Sequence, residues 1–231
     1  MYRQHFSSRS RKRSAPRGGS SLDPSLFIRK ATGFAKQEVY TPSFIYADLK
    51  VNPALKANIL RKGYTVPTPI QDQTIFLVMD SKDVLGIANT GTGKTAAFLI
   101  PLIEKVIADP QKKVLIIVPT REIATQIHDE FVAFAHGLRL FSVVCVGVMS
   151  IGRQIGGLQR QHNFVIATPG RLKDLQDRRV IDLSRFTHVV LDEAARMVDM
   201  GFINDIRRLL SALPPHRQSL FFSATLPLAV K

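Results

Sequence analysis

The chain has 231 residues, of which 45% are hydrophobic, and its mean hydropathy of +0.05 is typical of a globular protein that dissolves in water. No apolar run approaches the roughly 18 residues that span a bilayer, which excludes membrane-spanning classes. The only cysteine, Cys145, excludes an internal disulfide, so we expect a reducing, cytoplasmic location. The formal net charge of +14 favours polyanionic partners, nucleic acid first.

Residues 1–38 are predicted to form a disordered basic arm. They contain nine basic and two acidic residues, and residues 1–22 combine arginines with several Ser and Gly and no acid. Such a composition is typical of a solvated tail or of a segment that contacts phosphates without sequence preference. The arm lacks the apolar centre of a secretory signal, but an organelle transit peptide is an alternative for an Arg- and Ser-rich start. The folded domain is predicted over residues 39–231.

Two helices are predicted before the first strand. The first follows Asn52-Pro53, a capping residue with proline at the first helical position, and ends at Gly63. The second covers residues 70–79. From Val84 onward, short apolar segments alternate with helical stretches such as 121–135 and 202–213. The strand candidates are 84–88, 114–118, 141–146, 164–167, 189–191 and 219–222.

The strand candidates are mainly apolar and do not alternate with polar residues. This pattern, with helices between the strands, predicts a parallel sheet covered on both faces. The fold class is therefore α/β with a doubly wound parallel sheet. In such sheets ligands bind at the carboxyl ends of the strands, so the residues that follow each strand are the candidates for function.

Residues 88–95 lie between a strand candidate and a helical run, which is the order of a phosphate-binding P-loop. Glycines let backbone N–H groups face a phosphate, Lys94 is suited to the outer phosphates, and the Thr95 hydroxyl is suited to Mg²⁺. The pattern G-x-x-x-x-G-K-[ST] meets Ala88 at its first position, and an ordinary Gly-rich turn is the alternative for this segment alone. The predicted nucleotide-binding residues of the loop are Ala88, Asn89, Thr90, Gly91, Thr92, Gly93, Lys94 and Thr95.

Small, polar or basic residues follow the other strand candidates too. Asp192 comes directly after an apolar strand, where a P-loop enzyme places the acid that holds Mg²⁺. Glu193 is then suited to orient or deprotonate a water that attacks the γ-phosphate. The candidate catalytic residues are Lys94, Asp192 and Glu193, and the candidate metal ligands are Thr95 and Asp192.

These segments together resemble the DEAD-box family of ATP-dependent RNA helicases, and specifically the first of their two RecA-like domains. The similarity runs from about Tyr46 to the last residue. Six motifs carry it: 63–71 (Q motif), 88–95 (I), 119–123 (Ia), 168–171 (Ib), 192–195 (II) and 223–225 (III). The resemblance implies ATP and Mg²⁺ as cofactors, RNA as partner, and ATP hydrolysis coupled to local strand separation. It also accounts for Ala88, which is common at that position in the family.

The resemblance implies two contacts with the adenine base. Gln71 would read the adenine edge, and an upstream aromatic ring would stack on the base. By its spacing to Gly63 that ring is Tyr46, where the family usually has Phe, with Phe44 as a neighbouring alternative. Core packing is the competing interpretation for either ring.

A second implied set of residues faces the RNA backbone: Pro119, Thr120, Arg121, Gly147, Gln154, Thr168, Pro169, Gly170 and Arg171. Hydroxyl, guanidinium and backbone N–H groups bind phosphates without reading sequence. For Arg121, an ion pair with a nearby acid is the alternative. The family's paired glycine is Gly147-Val148 here.

Two departures from the family pattern lead to expectations about activity. Motif II ends in Ala195, where the family has an Asp thought to couple hydrolysis to domain closure through Ser223 and Thr225, and a methyl group accepts no hydrogen bond. We expect nucleotide binding to persist and coupled unwinding to weaken. The chain also stops at Lys231, where the family continues into a second RecA-like domain that supplies arginines in cis, so this chain, expected to be monomeric, should hydrolyse ATP weakly. The alternatives are a non-catalytic RNA-binding or regulatory protein that keeps the helicase fold and, less favoured because of Gln71, a DNA-acting helicase.

Overall fold

Eight α-helices and six strands alternate along residues 40–225, the part of the chain that the computed structural model describes. The arm predicted over 1–38, and the first residue and the last six residues of the predicted domain, lie outside these described residues. The helices are α1 Pro53–Arg61, α2 Pro69–Met79, α3 Lys94–Ala108, α4 Arg121–Phe134, α5 Ile151–Gln159, α6 Pro169–Asp177, α7 Ala194–Asp199 and α8 Ile203–Ser211. The strands are β1 Val84–Ile87, β2 Val114–Ile117, β3 Ser142–Cys145, β4 Phe164–Ala167, β5 His188–Asp192 and β6 Gln218–Ser223.

The six strands form one sheet in the order β1-β6-β5-β2-β4-β3, and every neighbouring pair is parallel. Helices cover both faces, which confirms the predicted doubly wound α/β class. Strand β1 lies at one edge of the sheet and β3 at the other. The later strands β5 and β6 lie between β1 and β2, so β1 and β2 are not neighbours although they follow each other along the chain. This arrangement brings the ends of β1, β6 and β5 together.

The core consists of two apolar layers, one on each face of the sheet. Strand β2 shows why, because its four residues are fully buried and their side chains alternate between the two layers. Val114 and Ile116 pack with the helices from α1 to α4, whereas Leu115 and Ile117 pack with the helices from α5 to α8. A strand buried on both faces must be apolar at every position, which explains the absence of alternation in the sequence.

Local signals account for the helix boundaries. Asn52 caps α1, since its side chain accepts hydrogen bonds from the backbone N–H groups of Ala54 and Leu55, and Gly63 follows with a φ of 84°. Thr120 caps α4 by accepting from the N–H of Ile123 at 3.4 Å. The short helix α7 was not predicted; it begins directly after Glu193, whose backbone is left-handed with a φ of 55°.

Because the sheet is parallel, the residues after all strands lie at one edge, here called the carboxyl edge, and the loops before the strands lie at the opposite, amino edge. Among residues 40–225, none of the helices combines the length and the apolar character needed to cross a bilayer.

Candidate nucleotide and nucleic-acid site at the carboxyl edge

The P-loop connects β1 to α3 through two residues in the left-handed region. Gly91 has a φ of 85° and Gly93 a φ of 91°. The loop is fixed at its start because the N–H of Ala88 donates to the carbonyl of Ser223 at 3.0 Å, and within the loop the Thr92 hydroxyl donates to the carbonyl of Asn89 at 2.7 Å. Helix α3 begins at Lys94, so its first N–H groups face the loop, as anion binding requires.

Lys94 and Glu193 meet at the mouth of the P-loop. The Lys94 Nζ lies 2.8 Å from Glu193 Oε1, and the Thr90 hydroxyl donates to the same oxygen at 3.1 Å. The two side chains are 5% and 14% exposed. In this arrangement a carboxylate neutralises the lysine, and a phosphate that binds Lys94 would compete with it.

Asp192 is the last residue of β5 and is 4% exposed. Burial raises the pKa of its carboxyl to about 6, while the nearby Lys94 lowers the pKa and the carboxylate of Glu193 raises it. One of its oxygens accepts from the N–H of Glu193 at 3.0 Å. A buried carboxyl with a raised pKa beside a lysine is a frequent feature of functional sites.

A cavity of about 510 Å³ joins Lys94, Thr95, Asp192 and Glu193. The Thr95 hydroxyl and the Asp192 carboxylate offer the hard oxygen atoms that Mg²⁺ prefers. The described residues hold no cluster of three or more His, Cys, Asp or Glu suited to a metal. Mg²⁺ uses one or two protein ligands together with waters and substrate phosphates, so two oxygen ligands are enough for it. The residues present therefore fit the expected metal.

The stacking role expected for Tyr46 disagrees with its placement. Its ring is fully buried, and its hydroxyl donates to Gln71 Oε1 at 2.9 Å, so no ring face is open to a base. Gln71 is also buried: Oε1 accepts from the N–H of Thr68 at 2.9 Å, and Nε2 donates to the carbonyl of Gly93 at 3.1 Å. The two residues link the chain before α1 to the P-loop. The alternative ring, Phe44, is half-buried and packs edge-on against Tyr46.

Tyr64 is an aromatic residue that sequence reasoning missed. Its half-buried ring lines the same cavity as the P-loop and packs edge-on against Tyr46, with ring centroids 5.6 Å apart. It directly follows Gly63 inside the Q motif, and that position was the available signal. Of these two rings, Tyr46 is fully buried and Tyr64 lines the cavity.

A second cavity, of about 590 Å³, lies farther along the carboxyl edge. Its lining includes residues that follow β2, β3 and β4, and these residues are far apart in the sequence. Seven of the residues predicted to face RNA line it: Pro119, Thr120, Arg121, Gly147, Thr168, Gly170 and Arg171. Glu122, Val148, Asp174 and Phe202 also line it and were not predicted.

Two residues predicted to face RNA do not line this cavity. Gln154 is 4% exposed, and its Nε2 donates to the carbonyls of Val146 at 2.9 Å and Met149 at 3.4 Å. It therefore holds the loop that contains Gly147 instead of presenting its own amide. Pro169 is buried at the first position of α6, where its missing N–H costs nothing.

The two arginines of this cavity have weak internal partners. Arg121 lies 3.3 Å from Glu122, with both side chains more than half exposed, and Arg171 lies 3.8 Å from Asp174. The exposed pair of Arg121 and Glu122 contributes about 0–1 kcal/mol. Arg171 is only 16% exposed, its distance to Asp174 is long for an ion pair, and it also donates to the carbonyl of Met149 at 3.3 Å. The ion pair that was the alternative interpretation for Arg121 is present, but it leaves the guanidinium accessible.

Val148 adopts a φ of 68° and is 93% exposed. A β-branched residue with positive φ is strained, whereas glycine is not. The strain lies where the family pattern has its second glycine.

Ala195 occupies the first turn of α7, and its N–H donates to Ser223 Oγ at 3.2 Å. Ala195 and Ser223 are buried, whereas Thr225 is exposed. The end of motif II and the end of β6 are thus joined by a hydrogen bond from a backbone N–H to a side-chain hydroxyl, and a methyl group stands where the family has a carboxylate.

Comparisons with known proteins agree with this geometry. A family model for DEAD/DEAH box helicases matches residues 68–231. The DEAD-box ATP-dependent RNA helicase CshA of Bacillus subtilis (strain 168) is 44% identical over 187 residues, covering 80% of this chain and 38% of that protein. The ATP-dependent RNA helicase DBP10 of Gibberella zeae is 44% identical over 210 residues, covering 90% of this chain and 23% of that protein. This chain therefore spans less than two fifths of either relative.

A solved structure gives the same result for the fold. The crystal structure of a DEAD box protein from the hyperthermophile Methanococcus jannaschii superposes with a TM-score of 0.77 at 35% identity, covering 80% of this chain and 51% of that one. Since the family model also covers well over half of the sequence, the chain belongs to the DEAD/DEAH box helicase family.

Proposed function

We propose that this chain is the nucleotide-binding and RNA-contacting first domain of a DEAD-box ATP-dependent RNA helicase. The observation that carries the proposal is the meeting of Lys94, Asp192 and Glu193 at the mouth of the P-loop, on the same edge as the cavity lined by Thr120 and Arg171. One edge of the sheet thus offers a phosphate site and a backbone-binding groove side by side.

In the proposed mechanism, the nucleotide phosphates displace the Glu193 carboxylate from Lys94. The lysine and the first N–H groups of α3 then hold the phosphates. Thr95 and Asp192 would hold Mg²⁺, which supplies positive charge against the phosphate oxygens. Glu193, released from Lys94, is free to accept a proton from the attacking water. Tyr64 lines this cavity and is placed to contact the rest of the nucleotide.

RNA would lie in the cavity of about 590 Å³ and be held by hydroxyl, guanidinium and backbone N–H groups, without sequence preference. A second RecA-like domain in cis would close onto both ligands, and hydrolysis would reset the cycle after local strand separation. The contact between Ala195 and Ser223 lies between the two sites and is the proposed route of coupling.

Replacing Glu193 by Gln tests the proposed nucleotide site. The amide cannot serve as a base, so turnover should fall by about 10²-fold or more. ATP should bind several-fold more tightly, because the phosphates no longer compete with a carboxylate for Lys94. Fluorescent-nucleotide titration and phosphate release measure the two effects, and Lys94→Ala, which should weaken binding, is the control. Equal affinity and turnover for the wild type and Glu193→Gln would refute the assignment.

A non-catalytic RNA-binding role is the second candidate, and the methyl group of Ala195 favours it. The discriminating variant is Ala195→Asp, with Ala195→Asn as a matched control without the charge. On the helicase reading, Ala195→Asp raises RNA-stimulated ATPase several-fold over the wild type while ATP affinity changes little. The comparison is made in a full-length version with the second RecA-like domain, because weak turnover of this chain alone is expected for both candidates. There, a wild type that binds RNA without any RNA-stimulated turnover, and an Ala195→Asp variant that behaves identically, would favour the second candidate.

A further inference from the structure

The amino edge of the sheet carries a row of basic side chains that the proposed function does not use. They lie in the loops before β2, β4, β5 and β6, which are neighbours in the sheet. We call them the basic row: Lys112, Lys113, Arg160, Arg185 and Arg217.

Backbone hydrogen bonds fix the row across the sheet. The N–H of His188 donates to the carbonyl of Lys113 at 3.3 Å, and the N–H of Gln218 donates to the carbonyl of Thr187 at 2.9 Å. On the other side, the N–H of Val114 donates to the carbonyl of Asn163 at 2.9 Å. With neighbouring strands about 4.8 Å apart, the row extends over about 14 Å. Its backbone is therefore ordered before any ligand binds.

Two cavities along this edge are lined by basic residues of the row and by almost no acidic side chains. One, of about 530 Å³, is lined by Lys113, Arg160, Arg185, His162 and several amides, and by no carboxylate. The other, of about 540 Å³, is lined by Lys112 and Arg217 together with His188 and His216, and its one carboxylate belongs to Asp109.

Three acids lie near the row, and only one of them forms an ion pair with it. Asp83 accepts from the N–H of Ser219 at 2.7 Å, and the Ser219 hydroxyl oxygen accepts from Arg217. Asp109 is 3.9 Å from Lys112. The pKa of Asp182 is lowered chiefly by its hydrogen bonds with Ser184 and, to a smaller extent, by the charge of Arg185. Within residues 40–225, Lys113, Arg160, Arg185 and Arg217 have no carboxylate within 4.0 Å.

Lys113 shows the electrostatic consequence. Its Nζ lies 2.9 Å from His162 Nε2, while His162 Nδ1 lies 2.9 Å from the carbonyl of Arg160, so that a neutral imidazole serves both contacts. Burial, followed by the charge of Arg185, lowers the pKa of Lys113. Like charges are thus held together without a counter-ion, and a bound anion would relieve their repulsion.

We infer that the basic row binds the phosphate backbone of an RNA strand at a site separate from the carboxyl edge. An elongated row of fixed cations suits consecutive phosphates better than one small anion. A protein partner would need buried apolar or aromatic anchors, and the loops 109–113, 160–163, 182–187 and 214–217 expose no large apolar side chain. The strands place the two edges roughly 13–20 Å apart, so no single phosphate can contact both.

The double variant Arg160→Gln/Arg185→Gln tests the inference. Both side chains are exposed, so the fold should be retained, which circular dichroism checks. The matched control is Arg61→Gln/Arg207→Gln, which removes the same charge from exposed helical arginines elsewhere. Fluorescence anisotropy with a labelled 20-nucleotide uridine oligomer, without ATP and across a salt series, gives the affinity and its salt slope.

We expect the amino-edge variant to bind the oligomer about tenfold more weakly than the control. Its salt slope should be lower by about 1.4, because each phosphate contact with a single strand accounts for about 0.7. The loss should add to that of Arg121→Gln/Arg171→Gln at the carboxyl edge. Binding of a fluorescent ATP analogue should not change, which separates this inference from the proposed nucleotide site.

Three results would overturn the inference. The amino-edge variant and the control could bind the oligomer with equal affinity and salt slope. Inorganic phosphate could bind the row in a way that the variant abolishes while RNA binding stays unchanged, which would make it a small-anion site. A polyglutamate peptide could lose affinity in the variant while the oligomer does not, which would make the row a protein-docking surface.

Discussion

Replacing Asp192 by Asn should stabilise the free protein at neutral pH. Burial raises the pKa of this carboxyl from 3.8 to about 6, so the folded chain holds its proton more tightly than the unfolded chain does. Between these two pKa values the folded state binds more protons, and its stability therefore falls as the pH rises. Above about pH 6 the whole penalty is present, and Asn avoids it because it carries no charge.

The magnitude follows from the size of the shift. A change of about two pKa units corresponds to about 3 kcal/mol. Asn keeps a side-chain oxygen that can accept from the N–H of Glu193, so the hydrogen bond of 3.0 Å need not be lost. For a chain of this size, 1 kcal/mol raises Tm by about 2–4 °C, so the expected gain is on the order of 6–12 °C.

Thermal unfolding of the wild type and Asp192→Asn between pH 4 and pH 8 is the assay. The difference in Tm should be near zero at pH 4, grow as the pH rises to about 6, and then level off. Mg²⁺ with ATP should narrow the difference, because it stabilises the ionised wild type more than the variant. An Asp192→Asn protein that is no more stable than the wild type at pH 7, or a gain independent of pH, would refute the reasoning.

Three further predictions concern the backbone and the amino edge. Gly91→Ala should cost about 1–2 kcal/mol in urea unfolding for its positive φ alone. A Cβ on Gly93 would clash with Gln71 Nε2, so Gly93→Ala should cost at least about 1 kcal/mol more than Gly91→Ala. A Gln71→Ala background should remove this difference. Val148→Gly should raise the free energy of unfolding by about 1 kcal/mol, since an exposed, strained side chain is lost, and a destabilised variant would contradict the strain. Burial, then the charges of Lys105 and Lys112, lowers the pKa of His188 to about 4, so the contribution of His188 to stability should fall by about 3 kcal/mol as the pH drops from about 6.5 to 4. Asp192 acts in the opposite direction over much of this range, so the loss is measured as the difference between the wild type and His188→Gln; acid unfolding curves of the two proteins that run parallel would contradict it.

Strands β2, β4 and β5 could be predicted because burial on both faces requires apolar residues at successive positions, whereas β1 is apolar although Leu85 and Ile87 are about half exposed. The P-loop could be predicted because glycines followed by a helix start form a recognisable pattern. The pairing of Lys94 with Glu193 depends on β1 and β5 lying on either side of β6, an order that local patterns do not contain. Spacing located the aromatic residues near the nucleotide site, but which ring lies on the surface depends on packing against Phe134 and the other layers of the core. The burial of Gln154 was unpredictable for the same reason.

The buried amide of Gln71 is held in one orientation before any nucleotide binds. Two donors, the Tyr46 hydroxyl and the Thr68 N–H, point at its oxygen, which leaves only the NH₂ group to face the P-loop. The amide therefore cannot flip while both donors are in place, and a Phe at position 46 would remove one of them. The Gln71 side chain therefore loses its conformational entropy when the chain folds. In the proposed ATP complex, binding then carries no further entropy cost for ordering this side chain.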